Sequence, residues 1–147
     1  MAMVEVAFTP LPAHVRTARL VAVAVARRSG VADSLLDEVR LAVGEACSRA
    51  VAAHRRHCPA EPVKIEMTDQ GERFVVVVSD QAPTPPGAST GANGHGVATM
   101  VQGADEAGIP AGFGLAVISG LADEVHVSST SSGVSVRMSW PSAAPAA

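Results

Sequence analysis

Apolar residues recur at Leu36, Val39, Val43, Ala46/Cys47 and Ala50, the three-and-four spacing of one helix face, and predict an amphipathic helix over Leu35 to His57. Asp33 or Ser34 is placed to cap its start, because a short oxygen-bearing side chain can pair with amides the first turn leaves open. His54 to His57 is basic, which suits the negative end of the helix dipole, and Pro59 ends the pattern. Glu38, Glu45 and Arg49 fall off the stripe. Glu45 and Arg49 are one helical turn apart and share a face, where they can line a pocket or pair with each other.

The flanking segments change period. Val4 to Phe8 alternates and stops before Pro10, the pattern of a short edge strand. Pro12 then opens a helix to about Arg28, with Val15, Ala18, Leu20/Val21 and Val25 toward the core and Arg16, Arg19, Arg27 and Arg28 on a basic side; Ser29-Gly30 closes it. After the central helix, Val63 to Met67 alternates, Asp69-Gln70-Gly71 turns, and Phe74 to Val78 is continuously apolar up to Ser79-Asp80. An alternating strand hairpinned to an all-apolar one predicts an outer and a more buried position in one antiparallel sheet. A short helix over Ala116 to Ala122 precedes two more alternating segments, Asp123 to Ser128 and Val134 to Trp140, joined by a turn at Ser131-Ser132-Gly133.

Between these halves, from Pro83 to Gly112, prolines and glycines replace the periodic pattern. A loop of that length in a compact domain is commonly a lid, a binding loop or a disordered segment, and here a lid is expected over about residues 83–111. The organisation is then one domain over residues 1–140 with a frayed Pro/Ala-rich tail at 141–147.

Composition narrows the function classes. The net charge of -3 and the absence of a basic run beyond Arg55-Arg56 disfavour direct nucleic-acid binding. With three Phe, one Trp and no Tyr, the core must be aliphatic and base stacking is not a natural trade. Leu20 to Ala26 falls short of the roughly 20 apolar residues of a membrane span, and the start of the chain lacks a secretion-signal pattern. The expectation is a soluble cytoplasmic protein. Two cysteines, Cys47 and Cys58, form no disulfide framework, and with His54 and His57 they lack the spacing of a zinc knuckle, so no metal site is assigned.

Three places carry candidate chemistry. Gly112 and Gly114 precede a helix and would let backbone amides approach an anion at its positive end, although glycine there is also ordinary loop punctuation. Asp80, ending a buried strand, can accept a hydrogen bond from an amino group such as that of adenine, or be a turn aspartate. Glu45 can be a general base, or a surface ion-pair partner of Arg49 contributing a few tenths of a kcal/mol.

Taken together and in this order, these residues resemble the anti-sigma factor serine kinases, relatives of the histidine-kinase and Hsp90 ATP-binding domains, over about Val4 to Trp140. The family's Glu-Ala-x-x-Asn-Ala motif is similar to Glu45-Ala46-Cys47-Ser48-Arg49-Ala50, and its Asp-x-Gly motif to Asp80-Gln81-Ala82. Its Gly-x-Gly-Leu-x-x-Ile stretch resembles Gly112 to Ile118 without a mismatch, followed by Leu121, Asp123 and Val125. The resemblance implies an α/β layered sandwich, a mostly antiparallel mixed sheet covered on one face by helices. It also implies ATP held by residues at the positions of Arg49, Asp80, Gly112, Gly114 and Leu115, with Glu45 as the base, and a homodimer that binds an RNA polymerase sigma factor and is countered by an anti-sigma factor antagonist.

Two departures bear on mechanism. Arg49 stands where the family's asparagine coordinates magnesium, and arginine offers no acceptor atom to a metal. It can replace the ion's charge by contacting phosphate, or tie up Glu45 in a salt bridge. Ala82 stands where the family has glycine, and Pro83 stiffens the next step. Phosphoryl transfer depends on positioned metal and charge. The expectation is a sigma-binding regulator with weak or lost kinase activity; the alternative is an active ATP/Mg-dependent protein-serine kinase acting on the antagonist, and a third is a nucleotide-binding domain of a signalling kinase.

Overall fold

The structure, a computed structural model, describes residues 3–82 and 113–142, the first four of the second stretch by their backbone. The expected lid at 83–111 and the tail beyond residue 142 lie outside the described residues. The elements are β1 (Met3–Phe8), α1 (Pro12–Arg28), α2 (Asp33–His57), β2 (Val63–Asp69), β3 (Arg73–Ser79), α3 (Phe113–Leu121), β4 (Glu124–Thr130) and β5 (Gly133–Pro141). The strands form one sheet in the order β1-β2-β3-β5-β4, and every pairing among them is antiparallel. The all-apolar strand β3 is central and the alternating β2 lies one place outward, as the two patterns require.

Register places like with like. Val6, Ile65, Val78, Val136 and Val127 form one row across all five strands, and Val4, Met67, Val76, Met138 and Val125 the next. These residues join the helices in a single core cluster. The other face carries Lys64, Glu66, Arg137 and His126 at the alternate positions. The architecture is a helix layer on an antiparallel sheet, with α2 packed on β2, β3 and β5 and flanked by α1 and α3.

Local chemistry explains the element ends. α1 starts with Pro12 at its first position and finishes with Gly30 at φ 91°, where Gly30 N donates to Arg27 O at 3.2 Å and Val31 N to Ala26 O at 3.0 Å, the paired bonds of a glycine-closed helix. α2 begins one residue after Ala32, which is extended and supplies no side-chain cap, so neither Asp33 nor Ser34 caps it; Asp33 instead sits in the first turn, where a carboxylate suits the helix dipole. α3 begins at Phe113, earlier than the apolar run alone indicates. The α1 stripe is also displaced: Val15, Ala18, Ala22 and Ala26 are buried while Leu20 is 61% exposed. Leu20 is two residues from both Ala18 and Ala22, about 200° round the helix from each, so it faces away from α2.

A candidate nucleotide site closed by an ion pair

β3 delivers Asp80 to the edge of the helix layer, with its side chain only 1% exposed. One carboxylate oxygen, Oδ1, accepts the backbone N–H of Ala82 at 3.1 Å and that of Val134 at 3.1 Å. The first bond is an aspartate turn that holds the chain leaving β3; the second ties it to the start of β5. Asp80 N also donates to Val134 O at 2.9 Å. This close approach explains Gly133, at φ 154°, because a Cβ there would lie 2.1 Å from the Asp80 carbonyl oxygen.

The other carboxylate oxygen, Oδ2, accepts Arg49 Nη1 at 2.9 Å. Arg49 projects from α2 with 14% of its side chain exposed, so both members of the pair are largely withdrawn from water. Its Nε is buried and has no hydrogen-bond partner among the described residues. The pairing expected within α2 is therefore replaced: Arg49 reaches across to Asp80 and Glu45 is left exposed on the helix surface. The reason is electrostatic. A carboxylate out of water gains far more from a cation than one in solvent.

A second bridge lies one turn beyond. His54 is fully buried; its Nδ1–H donates to Glu61 O at 2.8 Å and its Nε2 accepts the N–H of Gln81 at 2.8 Å. With both ring nitrogens engaged in this way, the tautomer is fixed by its partners. The basic helix end read from sequence thus contains a core residue that pins the segment after Asp80. Its signal was present, since His54 continues the buried stripe through Ala46 and Ala50.

Nearby thiols respond to the same surroundings. Burial pushes the Cys47 thiol up to about 12, with Arg19 opposing the shift. The Cys58 thiol is also raised, first by desolvation and then by the negative charges of Asp80 and Glu61. Arg19 lies over Gly44, where a Cβ would meet its Cδ at 2.7 Å, so the basic side of α1 is not uniformly solvated. Among the described residues no cluster of His, Cys, Asp or Glu is arranged to hold a metal ion.

Of the residues named from sequence, Arg49 and Asp80 are brought into contact, and Glu45 stands one turn from Arg49 on α2. Gly114 and Leu115 fall in the first turn of α3, and Gly112 lies outside the described residues. α3 packs against α2, so the elements that the motifs mark do converge. Ala82 is 5% exposed and its N–H is taken by Asp80. Among the described residues, Arg49 has only donors and so offers no ligand atom to magnesium, and an incoming amino group must compete with its guanidinium for Asp80 Oδ2. Among the described residues no helix is long and apolar enough to cross a membrane.

A search of curated proteins found no match. The family model for the histidine kinase-like ATPase domain matches residues 8–140, most of the chain and all three helices and five strands described above apart from most of β1 and the last residue of β5. The chain belongs to the histidine kinase-like ATPase domain family.

Proposed function

We propose that this protein is a binding regulator, an anti-sigma factor that sequesters an RNA polymerase sigma factor and is controlled by an anti-sigma factor antagonist, with kinase activity weak or lost. The observation that carries the loss is the Arg49–Asp80 ion pair, which occupies both the position of a metal ligand and an acceptor that a nucleotide base would use. The motif order from Glu45 to Val125 supports the anti-sigma branch. A homodimer is part of this reading. The test is co-elution of the purified protein with individual sigma factors in buffer containing a chelator and no nucleotide. A stable complex supports the reading; capture that requires ATP contradicts it.

The second reading is an active serine kinase, favoured by one observation: Glu45 is exposed and free of Arg49, so a base at that position is not tied up. It predicts transfer of labelled phosphate from ATP to a serine of the antagonist, abolished by Glu45→Gln.

A further inference from the structure

The functional reading above, on which this inference rests, leaves open what replaces a bound ligand at the buried end of β3. Asp80 is the joint of three segments: its backbone pairs with Val134, its Oδ1 holds Ala82 and Val134, and its Oδ2 faces α2. A carboxylate that is 1% exposed cannot leave such an oxygen bare without a large desolvation cost. Some donor must therefore reach it across the gap between β3 and α2. In this chain the donor is Arg49, at 2.9 Å.

We propose that Arg49 is a built-in occupant of the nucleotide site: its guanidinium holds the Asp80 oxygen that the amino group of an adenine ring would engage. Arg49 is then a specificity-determining residue acting by exclusion. It supplies the donor and the positive charge internally and links α2 to the end of β3. The guanidinium makes a single bond to Asp80 through Nη1, with Nε unpartnered among the described residues, so the contact is set by charge rather than by a two-pronged fit. Shortening the side chain frees Asp80 Oδ2 as a buried acceptor beside the space the guanidinium filled.

The test is titration of ADP, without metal and with a chelator present, into the wild type, Arg49→Asn, Arg49→Gln and Arg49→Asn/Asp80→Asn, each checked for folding by circular dichroism. Calorimetry is expected to show wild-type affinity weaker than about 1 mM. At least one single variant is expected to bind ADP about tenfold tighter or better, and the double variant to lose that gain. Metal-free binding by the wild type at micromolar affinity overturns the proposal, since Arg49 would then be gripping phosphate rather than filling the site. So does a gain that survives Asp80→Asn, or folded single variants that gain nothing. The sigma co-elution experiment uses wild-type protein without nucleotide, so failure there leaves the Arg49 result standing, and the reverse also holds.

Discussion

Truncation of Arg49 to alanine is the perturbation whose cost follows most directly from the geometry. It leaves Asp80, 1% exposed, without its only charged partner among the described residues, while the two backbone N–H bonds to Oδ1 remain. Breaking a buried ion pair by removing one partner costs about 3–5 kcal/mol. Arg49 keeps 14% exposure, so water can partly replace it, and the surviving amide bonds still stabilise the charge. The expected loss is about 2–3 kcal/mol, or roughly 6–10 °C in melting temperature for a domain of this size. Urea unfolding followed by Trp140 fluorescence reads it cleanly, because that side chain is 1% exposed, is the only tryptophan, and donates to Leu121 O at 3.1 Å. Replacing both partners, as Arg49→Met/Asp80→Asn, removes the buried charges together and is expected to cost less than Arg49→Ala alone. A cycle of single and double variants should give a coupling of about 1–2 kcal/mol. A loss below about 0.5 kcal/mol for Arg49→Ala, the range of an exposed pair, with additive effects in the cycle, would refute the claim that the pair is a buried brace.

Gly133→Ala places a Cβ 2.1 Å from the Asp80 carbonyl and is expected to cost more than about 2 kcal/mol, whereas Gly71→Ala, which meets no atom within 4 Å, costs only its φ strain of about 1 kcal/mol; denaturant melts of the two should separate them. His54→Leu orphans Glu61 O and Gln81 N–H, for an expected loss of about 2–4 kcal/mol by the same melts. For Cys47 the folded thiol titrates near 12 against a reference of 9.0, so the folded state holds the proton that the unfolded chain releases; its contribution is whole below pH 9 and falls as pH rises toward 12. Urea stability should therefore drop by up to about 1.4 kcal/mol per pH unit in that window, and less steeply in Cys47→Ala. In native protein a thiol reagent should label the half-buried Cys58 and spare the fully buried Cys47.

The fold was legible because its signals are periodic. The stripe Leu36, Val39, Val43, Ala46 and Ala50 is the buried face of α2, and the alternation in β2 against the apolar run of β3 gave their order in the sheet. On α1 the larger apolar residue is misleading: the small residues Ala18, Ala22 and Ala26 set the buried phase with Val15, and Leu20 lies on the opposite side of the helix. The site was legible by residue and not by pairing. Arg49 and Asp80 were both singled out, yet spacing within a helix favoured Glu45 as the partner of Arg49. Spacing alone does not register that Asp80, distant in sequence, is buried, and burial decides which carboxylate the guanidinium seeks. His54 continues the buried stripe, but its bond to Gln81, distant in sequence, leaves no trace in spacing, and the role of Gly133 is masked by its place in an ordinary turn. Gly112 lies outside the described residues, so the anion-binding turn expected there is neither placed nor displaced.

The measurement that bears most directly on the central claim, a family fold kept and its nucleotide chemistry lost, is calorimetric titration of magnesium-ATP into the wild-type protein. The account predicts no heat of binding at concentrations up to about 1 mM. Saturable binding at micromolar affinity that disappears when magnesium is chelated would contradict it, and would make the kinase with Glu45 as its base the better description.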